Sequence, residues 1–256
     1  MTDRKKSGLA RVLSKMGYCS RSQAAALIRA GRVALNGRSV RDPETPVSVG
    51  RARITVDGVE VVAHSKMYLV MNKPRGVVTT ASDERGRATV YDLLHGVDAW
   101  IGPVGRLDKA SEGLLLLTND TDWAARITDP ASEIDKRYHV QVDRVVTDEL
   151  LARIRQGVVV NGDCLRAKAV RILRQGEKNS WLEITLDEGK NRHIRRMLQE
   201  LGLAVLRLVR VAVGSVELDD LKKGAVRALT AAEKLNLDRK LARAGELPKK
   251  TTGACR

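Results

Sequence analysis

Residues 104–120 read VGRLDKASEGLLLLTND, and the expected organisation of the whole chain depends on this stretch. It places one carboxylate, Asp108, between Arg106 and Lys109 on a loop, and an apolar run typical of a buried strand follows. Neighbouring cations favour the ionised form of an acid and also attract phosphate. The stretch therefore suits an acid held against a polyanion. Taken alone, such residues more often mark a tight turn closed by an Arg–Asp pair before a core strand.

Composition narrows the possible partners of the chain. The 256 residues include 46 Lys and Arg against 31 Asp and Glu, a net charge of +15, and 43% are hydrophobic. This balance indicates a globular protein whose field attracts polyanions, nucleic acid first. No apolar run approaches the roughly 20 residues that span a bilayer, and the start lacks the apolar core of a signal peptide. We therefore expect a cytoplasmic protein.

The sequence contains neither a metal-binding motif nor many aromatic residues on which bases could stack. No Cys-x-x-Cys or His-Glu-x-x-His spacing occurs, so we expect no metal, and the zinc-ligand pattern of base deaminases is missing. Phe is absent and aromatic residues make up 3% of the chain. A platform of several aromatic side chains is therefore not expected, and a single Tyr at a site carries more weight.

The first quarter of the chain predicts a small helix-helix-hairpin module. Apolar residues fall at helical spacing in 9–16 and 21–30, and Ser20 with Gln23 forms a capping-box pattern before the second helix. Residues 33–38 are typical of a strand entering the Asn36-Gly37 turn, and residues 54–61 of a second hairpin arm. Residues 1–62 carry 12 Lys or Arg and five acids, a net charge of +7. Residues 63–67 are polar and are interpreted as a linker.

From residue 68 the pattern predicts a second domain in which strands outnumber helices. We expect it to span residues 68–237 and a basic, disordered tail to occupy 238–256. Residues 189–202 open on Gly189, carry four cations in seven residues and then become amphipathic, which favours a helix with a basic N-terminal end. The other predicted elements are a strand, turn and strand over 68–80, helices at 90–94, 120–128 and 148–156, and strands at 138–142, 158–160, 167–173, 181–186 and 206–211.

The N-terminal module resembles the S4 RNA-binding domain in the segments LAR at 9–11, SR at 20–21 and GRVALNG at 31–37. The resemblance implies a surface that grips RNA phosphates and releases counterions. The alternative is a basic face that is only solvated. The residues expected to contact RNA are Arg11, Lys15, Arg21, Arg29, Arg32, Asn36 and Arg38.

Three later segments, GRLD at 105–108, KRY at 136–138 and EGK to RRM across 188–197, extend the resemblance. With the N-terminal module they resemble the S4-domain-containing ribosomal RNA pseudouridine synthases, over roughly residues 8–230. The resemblance implies an α+β protein: a small S4-like module followed by a mixed, mainly antiparallel β-sheet catalytic domain with flanking helices. It also implies an isomerase that breaks the uracil N1–ribose bond and rejoins the base through C5, without cofactor or metal.

The resemblance assigns roles residue by residue. Asp108 matches the essential acid, Tyr138 the tyrosine that stacks on the flipped uracil, and Arg195 the cation that pairs with the acid. Arg106 matches the arginine that enters the space left by the base, and Leu208 the apolar residue that closes the pocket. Lys109 is expected to contact RNA. Two departures, His193 where relatives commonly have Gln and Thr121 where a Gly is common, leave the shape of those loops open.

Alternatives remain at this point. The chain could be a non-catalytic S4-type assembly factor, although an acid, a tyrosine and an arginine at the matching positions argue against it, or a DNA-binding chromatin protein. We expect ribosomal RNA, free or in a pre-ribosomal particle, as the partner of a monomer, with the large-subunit RNA favoured over the small-subunit RNA. The sequence leaves open whether Asp108 attacks the ribose carbon or promotes loss of a ribose proton.

Overall fold

The computed structural model describes residues 6–48, 52–81 and 83–246, and it divides into two compact units. One unit comprises Met1–Tyr68, Leu94–Gly102 and Leu117–Asp122, and the other comprises Leu69–Leu93, Pro103–Leu116 and Trp123–Arg256. The first unit therefore combines the predicted module and linker with two later segments. Within the described ranges, every helix is too short or too polar to cross a bilayer.

The first unit contains two short helices and a four-stranded antiparallel sheet. Its core includes the fully buried side chains of Leu9, Leu13, Ile28 and Val33, which follow the helical and strand periodicity of the sequence. Elements up to residue 60 are β1 (Ser7–Gly8), α1 (Leu9–Lys15), α2 (Arg21–Arg29), β2 (Val33–Leu35), β3 (Arg38–Val40), β4 (Pro46–Val47), β5 (Ile54–Val56) and β6 (Val59–Glu60). The sheet order is β3-β2-β5-β6, and β1 pairs with β4.

Local signals in this module act as predicted. The Ser20 hydroxyl accepts from the Gln23 N–H at 3.1 Å while the Gln23 side chain accepts from the Ser20 N–H at 3.0 Å, so the capping box is confirmed. Asn36 and Gly37 have φ values of 50° and 82°, the left-handed pair that a tight hairpin turn requires. The Asn36 side-chain oxygen also accepts from the Arg53 N–H at 2.9 Å, which fixes the β2–β3 turn against the start of β5.

The second unit is built on a nine-stranded mixed sheet. Its main strand order is β13-β14-β10-β15-β9-β7-β17, and in addition β16 pairs with β15 and β8 pairs with β9. Among the strand pairs whose register is resolved, β9 and β15 are parallel and the others are antiparallel. The mixed, mainly antiparallel architecture with flanking helices is therefore confirmed. Elements after residue 67 are β7 (Tyr68–Lys73), β8 (Gly102–Pro103), β9 (Glu112–Thr118), α3 (Thr121–Thr128), β10 (Lys136–Val142), α4 (Asp148–Gln156), β11 (Val158–Val160), β12 (Asp163–Leu165), β13 (Ala169–Gln175), β14 (Ser180–Leu186), α5 (His193–Glu200), β15 (Val205–Val213), β16 (Val216–Glu217), β17 (Val226–Ala228) and α6 (Ala231–Glu246), with 3-10 turns at Val90–Leu93 and Pro130–Ser132.

The sheet positions the site because its central strands have one face covered by helices. Alternate residues of β10 and β14, such as Val140 and Ile184, join Met197 and Leu198 of α5 in one core cluster. All seven residues of β9 are buried. Where β9 meets β15, Gly113 has a φ of 102°, and an added Cβ would lie 2.3 Å from the Arg210 carbonyl oxygen. Glycine is therefore required for this close approach of the two backbones.

Three secondary-structure predictions are wrong. Residues 77–80 do not form a strand, since Val78 makes an isolated bridge with Thr89, and residues 90–94 form a 3-10 turn at Val90–Leu93 instead of an α-helix. The Pro74–Gly76 turn redirects the backbone after β7, so the apolar residues that follow do not continue the ladder. The helix expected over 189–202 begins only at His193.

The prediction of a disordered tail from residue 238 is wrong for residues 238–246, which belong to α6. Leu237 and Leu241 lie one helical turn apart and are both buried, and the Asp238 carboxylate accepts from the Trp123 indole N–H at 2.9 Å. The high Lys and Arg content hides this short apolar stripe in the sequence. The remaining predicted tail, residues 247–256, lies outside the described residues.

The docking of α6 gives a direct test. Leu241→Ala should lower the free energy of unfolding by about 2–4 kcal/mol, because a buried side chain leaves a cavity. Leu235→Ala is the matched control: Leu235 lies in the same helix with 49% of its surface exposed, so this change should cost less than about 1 kcal/mol. Urea unfolding measures both variants. Equal destabilisation would show that α6 does not pack through Leu241.

Candidate active site

Asp108 lies on a loop in a cleft of about 220 Å³ in the second unit. Its carboxylate is 32% exposed, so the acid is reachable from solvent but partly enclosed. The cleft is rich in cations and has an apolar wall. The lining residues used below are Arg106, Asp108, Lys136, Tyr138, Arg192, Arg195, Leu208 and Arg210.

The Asp108 loop is held by the last residue of β7 and by the segment that follows it. The Lys73 ammonium donates to the Ser111 carbonyl at 2.9 Å, the Gly76 N–H donates to the Lys109 carbonyl at 2.8 Å, and the Thr79 hydroxyl donates to the Leu107 carbonyl at 2.9 Å. These bonds bracket Asp108 on both sides. The backbone that carries the acid is therefore fixed before any substrate arrives.

Lys73 is the least expected of these groups because it is 0% exposed. Burial lowers the pKa of Lys73 to about 8, while the charges of Asp108 and Glu112 act in the opposite direction. Its ammonium also donates to the Pro74 carbonyl at 3.0 Å. Sequence reasoning missed Lys73, and the available signal was a lysine at the end of an apolar strand directly before a proline.

Glu112 fixes the other end of the loop, where β9 begins. Its carboxylate is 4% exposed and accepts from the Arg207 guanidinium at 3.0 Å and from the Lys223 ammonium at 2.8 Å. Burial alone would raise the pKa of Glu112, but the hydrogen bonds from these two cations outweigh it, so the net pKa is lowered.

The predicted pairing of Arg195 with Asp108 is wrong in this structure. The Asp108 carboxylate forms its ion pair with Arg192, at 3.5 Å between Nη1 and Oδ2. Arg192 has a φ of 47° and is the N-cap of α5, so the late start of this helix turns Arg192, one turn before the predicted residue, toward the acid. The periodicity of the sequence could not show where the helix begins.

Arg195 instead braces the backbone around the acid. Its guanidinium donates to the Ala110 carbonyl at 3.2 Å and to the Val205 carbonyl at 3.4 Å, and thereby joins α5 to the Asp108 loop and to β15. Burial lowers the pKa of Arg195, whereas the nearby charge of Asp108 raises it. Its Nε is buried without a hydrogen-bond partner among the described residues. Arg195 is therefore close to the acid although it does not form the ion pair.

The other predicted residues of this domain divide into two groups. Tyr138 and Leu208 line the cleft next to the apolar core, and Arg106 lines it with an exposed side chain. Lys109 is exposed, and its carbonyl belongs to the loop anchor described above. The structure thus brings together every predicted cleft residue from four separate segments of the chain.

Two further cations line the cleft and were missed. Lys136 and Arg210 lie on β10 and β15, and Arg210 is 7% exposed. Lys136 stood inside the KRY segment, and Arg210 alternated with apolar residues on a strand. A cation in an apolar strand was the signal that could have singled out Arg210.

The predicted RNA-contacting residues of the first unit differ in their partners. Lys15, Arg21 and Arg32 form ion pairs with acids at 2.8, 3.2 and 2.5 Å. Asn36 uses its side-chain oxygen for the hairpin. In the described part of the chain, Arg11, Arg29 and Arg38 are exposed and lie within ion-pair distance of no acid.

The described ranges 6–48, 52–81 and 83–246 contain no group of three or more His, Cys, Asp or Glu side chains placed to hold a metal ion. The cleft is instead lined mainly by cations, with Asp108 and Glu188 as the acids among its lining residues. Such a site suits an anionic substrate and an acid acting as nucleophile or base.

Comparison with known families shows to which family the chain belongs. A family model described as RNA pseudouridylate synthase matches residues 67–200, more than half of the chain, and an S4 domain model matches residues 8–52. The chain belongs to the RNA pseudouridine synthase family. The predicted enzyme class, an isomerase, and the predicted S4 domain are confirmed.

Similar proteins support this assignment over most of the length of this pseudouridine synthase. It is 36% identical to ribosomal large subunit pseudouridine synthase B of Bacillus subtilis over 227 residues, which cover 88% of this chain and 93% of that protein. An uncharacterised RNA pseudouridine synthase of Rickettsia bellii is 39% identical over 87% of this chain and 96% of its own length. A crystal structure of a pseudouridylate synthase matches 90% of this chain and 99% of its own, with a TM-score of 0.63 and 29% identity.

The ion pairs of Glu112 yield a test of how the site is supported. Glu112→Gln should lower the free energy of unfolding at pH 7 by about 1–3 kcal/mol, since it removes a charge that two cations face in a buried position. Because the pKa of Glu112 is lower in the folded protein than the ordinary carboxyl value of 4.5, its ionised side chain stabilises the fold at pH values above 4.5. This stabilisation is lost as the pH falls through the pKa that Glu112 has in the folded protein. The difference from wild type should therefore shrink in acid, as thermal unfolding at several pH values would show.

Glu44→Gln is the control for this prediction, because the Glu44 carboxylate is 68% exposed and pairs with an exposed Arg21. Its effect should stay below about 1 kcal/mol at all pH values. A pH-independent destabilisation in Glu112→Gln would mean that the charge of Glu112 is not what stabilises the start of β9.

Proposed function

We propose that this pseudouridine synthase isomerises a specific uridine of ribosomal RNA in the cytoplasm, as a monomer, with large-subunit RNA as the substrate. The observation that carries the proposal is the carboxylate of Asp108, on a loop anchored on both sides and enclosed by Tyr138, Leu208 and a group of arginines. The choice of large-subunit RNA is supported by the name of the Bacillus relative. Small-subunit RNA is the second candidate.

In the proposed reaction the carboxylate of Asp108 is the essential catalytic group. The bond between uracil N1 and ribose C1′ breaks, its electron pair leaves with the base, the base turns, and C5 bonds to C1′. The C5 proton is then lost and N1 gains one, so substrate and product have the same atoms. Asp108 either attacks C1′ or removes a ribose proton, and both routes need its ionised form. The Arg192 guanidinium lies 3.5 Å from this carboxylate.

The target uridine must leave its stack to reach Asp108. Extrusion costs a few kcal/mol, which phosphate contacts can offset. Arg106 is the cation proposed to occupy the space left in the RNA, since its side chain is exposed at the cleft. Tyr138 would then stack on the extruded uracil, with Leu208 closing the apolar side of the pocket.

Arg195 has a positioning role in this proposal. It binds the carbonyl of Ala110, two residues after the acid, and so limits movement of the loop. A non-catalytic assembly factor would not need an acid held in this way.

The first test of the proposal concerns Asp108. Asp108→Asn should abolish pseudouridine formation while RNA affinity stays within a few-fold, because the amide keeps the shape but cannot act as nucleophile or base. Asp220→Asn, a change of an exposed acid, is the control. Chemical labelling of pseudouridine followed by primer extension on both ribosomal RNAs measures activity and substrate choice together. Normal turnover by purified Asp108→Asn would refute the role of Asp108.

A second test concerns RNA binding by the S4 domain. The combined change of Arg11, Arg29 and Arg38 to Gln should weaken RNA binding and reduce the slope of log affinity against log salt by about 0.7–0.9 for each phosphate that is no longer bound. The matched control changes Arg21, Arg32 and Arg53 to Gln, which removes the same charge from residues already paired with acids. Filter binding at several salt concentrations compares the two. Equal slopes would show that exposure without an acidic partner does not identify the residues that bind RNA.

A further inference from the structure

Two neighbouring cations, Lys136 and Arg210, lie in the cleft without an assigned role. Lys136 precedes Tyr138 by two residues on β10, so the two side chains project from the same face of the sheet. Arg210 is the register partner of Tyr138 on β15. Both cations therefore lie beside the tyrosine proposed to stack on the uracil.

These cations are poorly neutralised by the protein. In the described part of the chain, the Lys136 ammonium finds one hydrogen-bond acceptor, the Asp187 carbonyl at 3.4 Å, and Arg210 donates through Nε to the Leu114 carbonyl at 2.7 Å. Neither has a carboxylate within 4 Å there, and the neighbouring acid Asp135 pairs with Lys168 at 2.7 Å. A cation held near another cation in a partly dry site is best stabilised by an arriving anion.

Their burial separates them from the arginines suited to backbone phosphates. Arg106 and Arg192 are exposed, whereas Arg210 is 7% exposed and Lys136 is partly buried. A phosphate on an RNA backbone reaches exposed cations first. In the proposed function the extruded base stacks on Tyr138, and it is therefore the part of the substrate expected next to Lys136 and Arg210.

We propose that Lys136, with Arg210 beside it, stabilises the negative charge that the uracil carries while it is detached from the ribose. The inference rests on the proposed function. When the N1–C1′ bond breaks, its electron pair stays on the base and spreads over N1 and the carbonyl oxygens. A fixed ammonium next to those oxygens stabilises this charge more than it stabilises the neutral base of the substrate, and such a difference accelerates the reaction.

The protonation of Lys136 supports the same role. Burial and the charge of Arg210 lower the pKa of Lys136 to about 8, although Asp135 and Asp187 act in the opposite direction. The other charged or titratable groups of the cleft include Asp108, Tyr138, Glu188 and Lys190. Lys136 is charged below this pKa and neutral above it, so the stabilising charge should disappear as pH rises through about 8.

The test compares wild type with Lys136→Met and Lys136→Arg. Lys136→Met should lower kcat by about 100-fold or more at pH 7 while KM stays within a few-fold, as expected for a group that acts after binding. Lys136→Arg should restore much of the rate. Between pH 7 and 9, kcat/KM of wild type should fall above about 8, and this fall should be smaller in Lys136→Arg, since arginine keeps its proton while Lys73, whose pKa is also about 8, titrates in both enzymes.

Three results would overturn the inference. A raised KM with unchanged kcat in Lys136→Met would make Lys136 a phosphate-binding residue, and a wild-type rate would remove it from the reaction. An identical alkaline fall in wild type and Lys136→Arg would show that another group titrates. Thermal unfolding of both variants tests folding, and Lys136→Arg carries the pH test if Lys136→Met is unstable. Failure of the proposed function can be told apart from failure of this inference, because the wild-type enzyme itself would then form no pseudouridine in ribosomal RNA.

Discussion

The hydrogen bonds between residues 73–79 and the Asp108 loop are the constraint on which the rest of the site depends. Lys73, Gly76 and Thr79 each donate to a backbone carbonyl of that loop. The loop then enters β9, a strand buried along its whole length. A carboxylate fixed in this way is oriented in advance, so substrate binding energy is not consumed in ordering it.

The cations in and near the cleft differ in solvent exposure, and their proposed roles differ accordingly. Exposed cations, among them Arg106 and Arg192, suit an RNA backbone, whereas the partly buried Lys136 and the buried Arg210 suit a charge that arises only during the reaction. The fully buried Lys73 neutralises neither the substrate nor an acid directly and instead bonds to carbonyls. In the proposed mechanism the same residue types thus serve binding, chemistry and loop anchoring, and solvent exposure together with hydrogen-bond partners distinguishes the three roles.

Local sequence signals predicted the elements whose causes are local. The capping box of Ser20, the Asn36-Gly37 hairpin and the apolar strand after Asp108 all follow from neighbouring residues. The ion pair of Asp108 could not be predicted in the same way. It depends on where α5 begins, and one turn of helix decides between Arg192 and Arg195. The roles of Lys73, which anchors the Asp108 loop, and of Arg210, which lines the cleft, escaped prediction because their partners are backbone carbonyls distant in sequence.

The most direct test of the central claim is a map of pseudouridine at single-nucleotide resolution in ribosomal RNA from cells with and without this gene. The account predicts loss of pseudouridine at one site in large-subunit RNA, restored by the wild-type gene and not by the gene carrying Asp108→Asn. An unchanged map, or restoration by the Asp108→Asn gene, would contradict it.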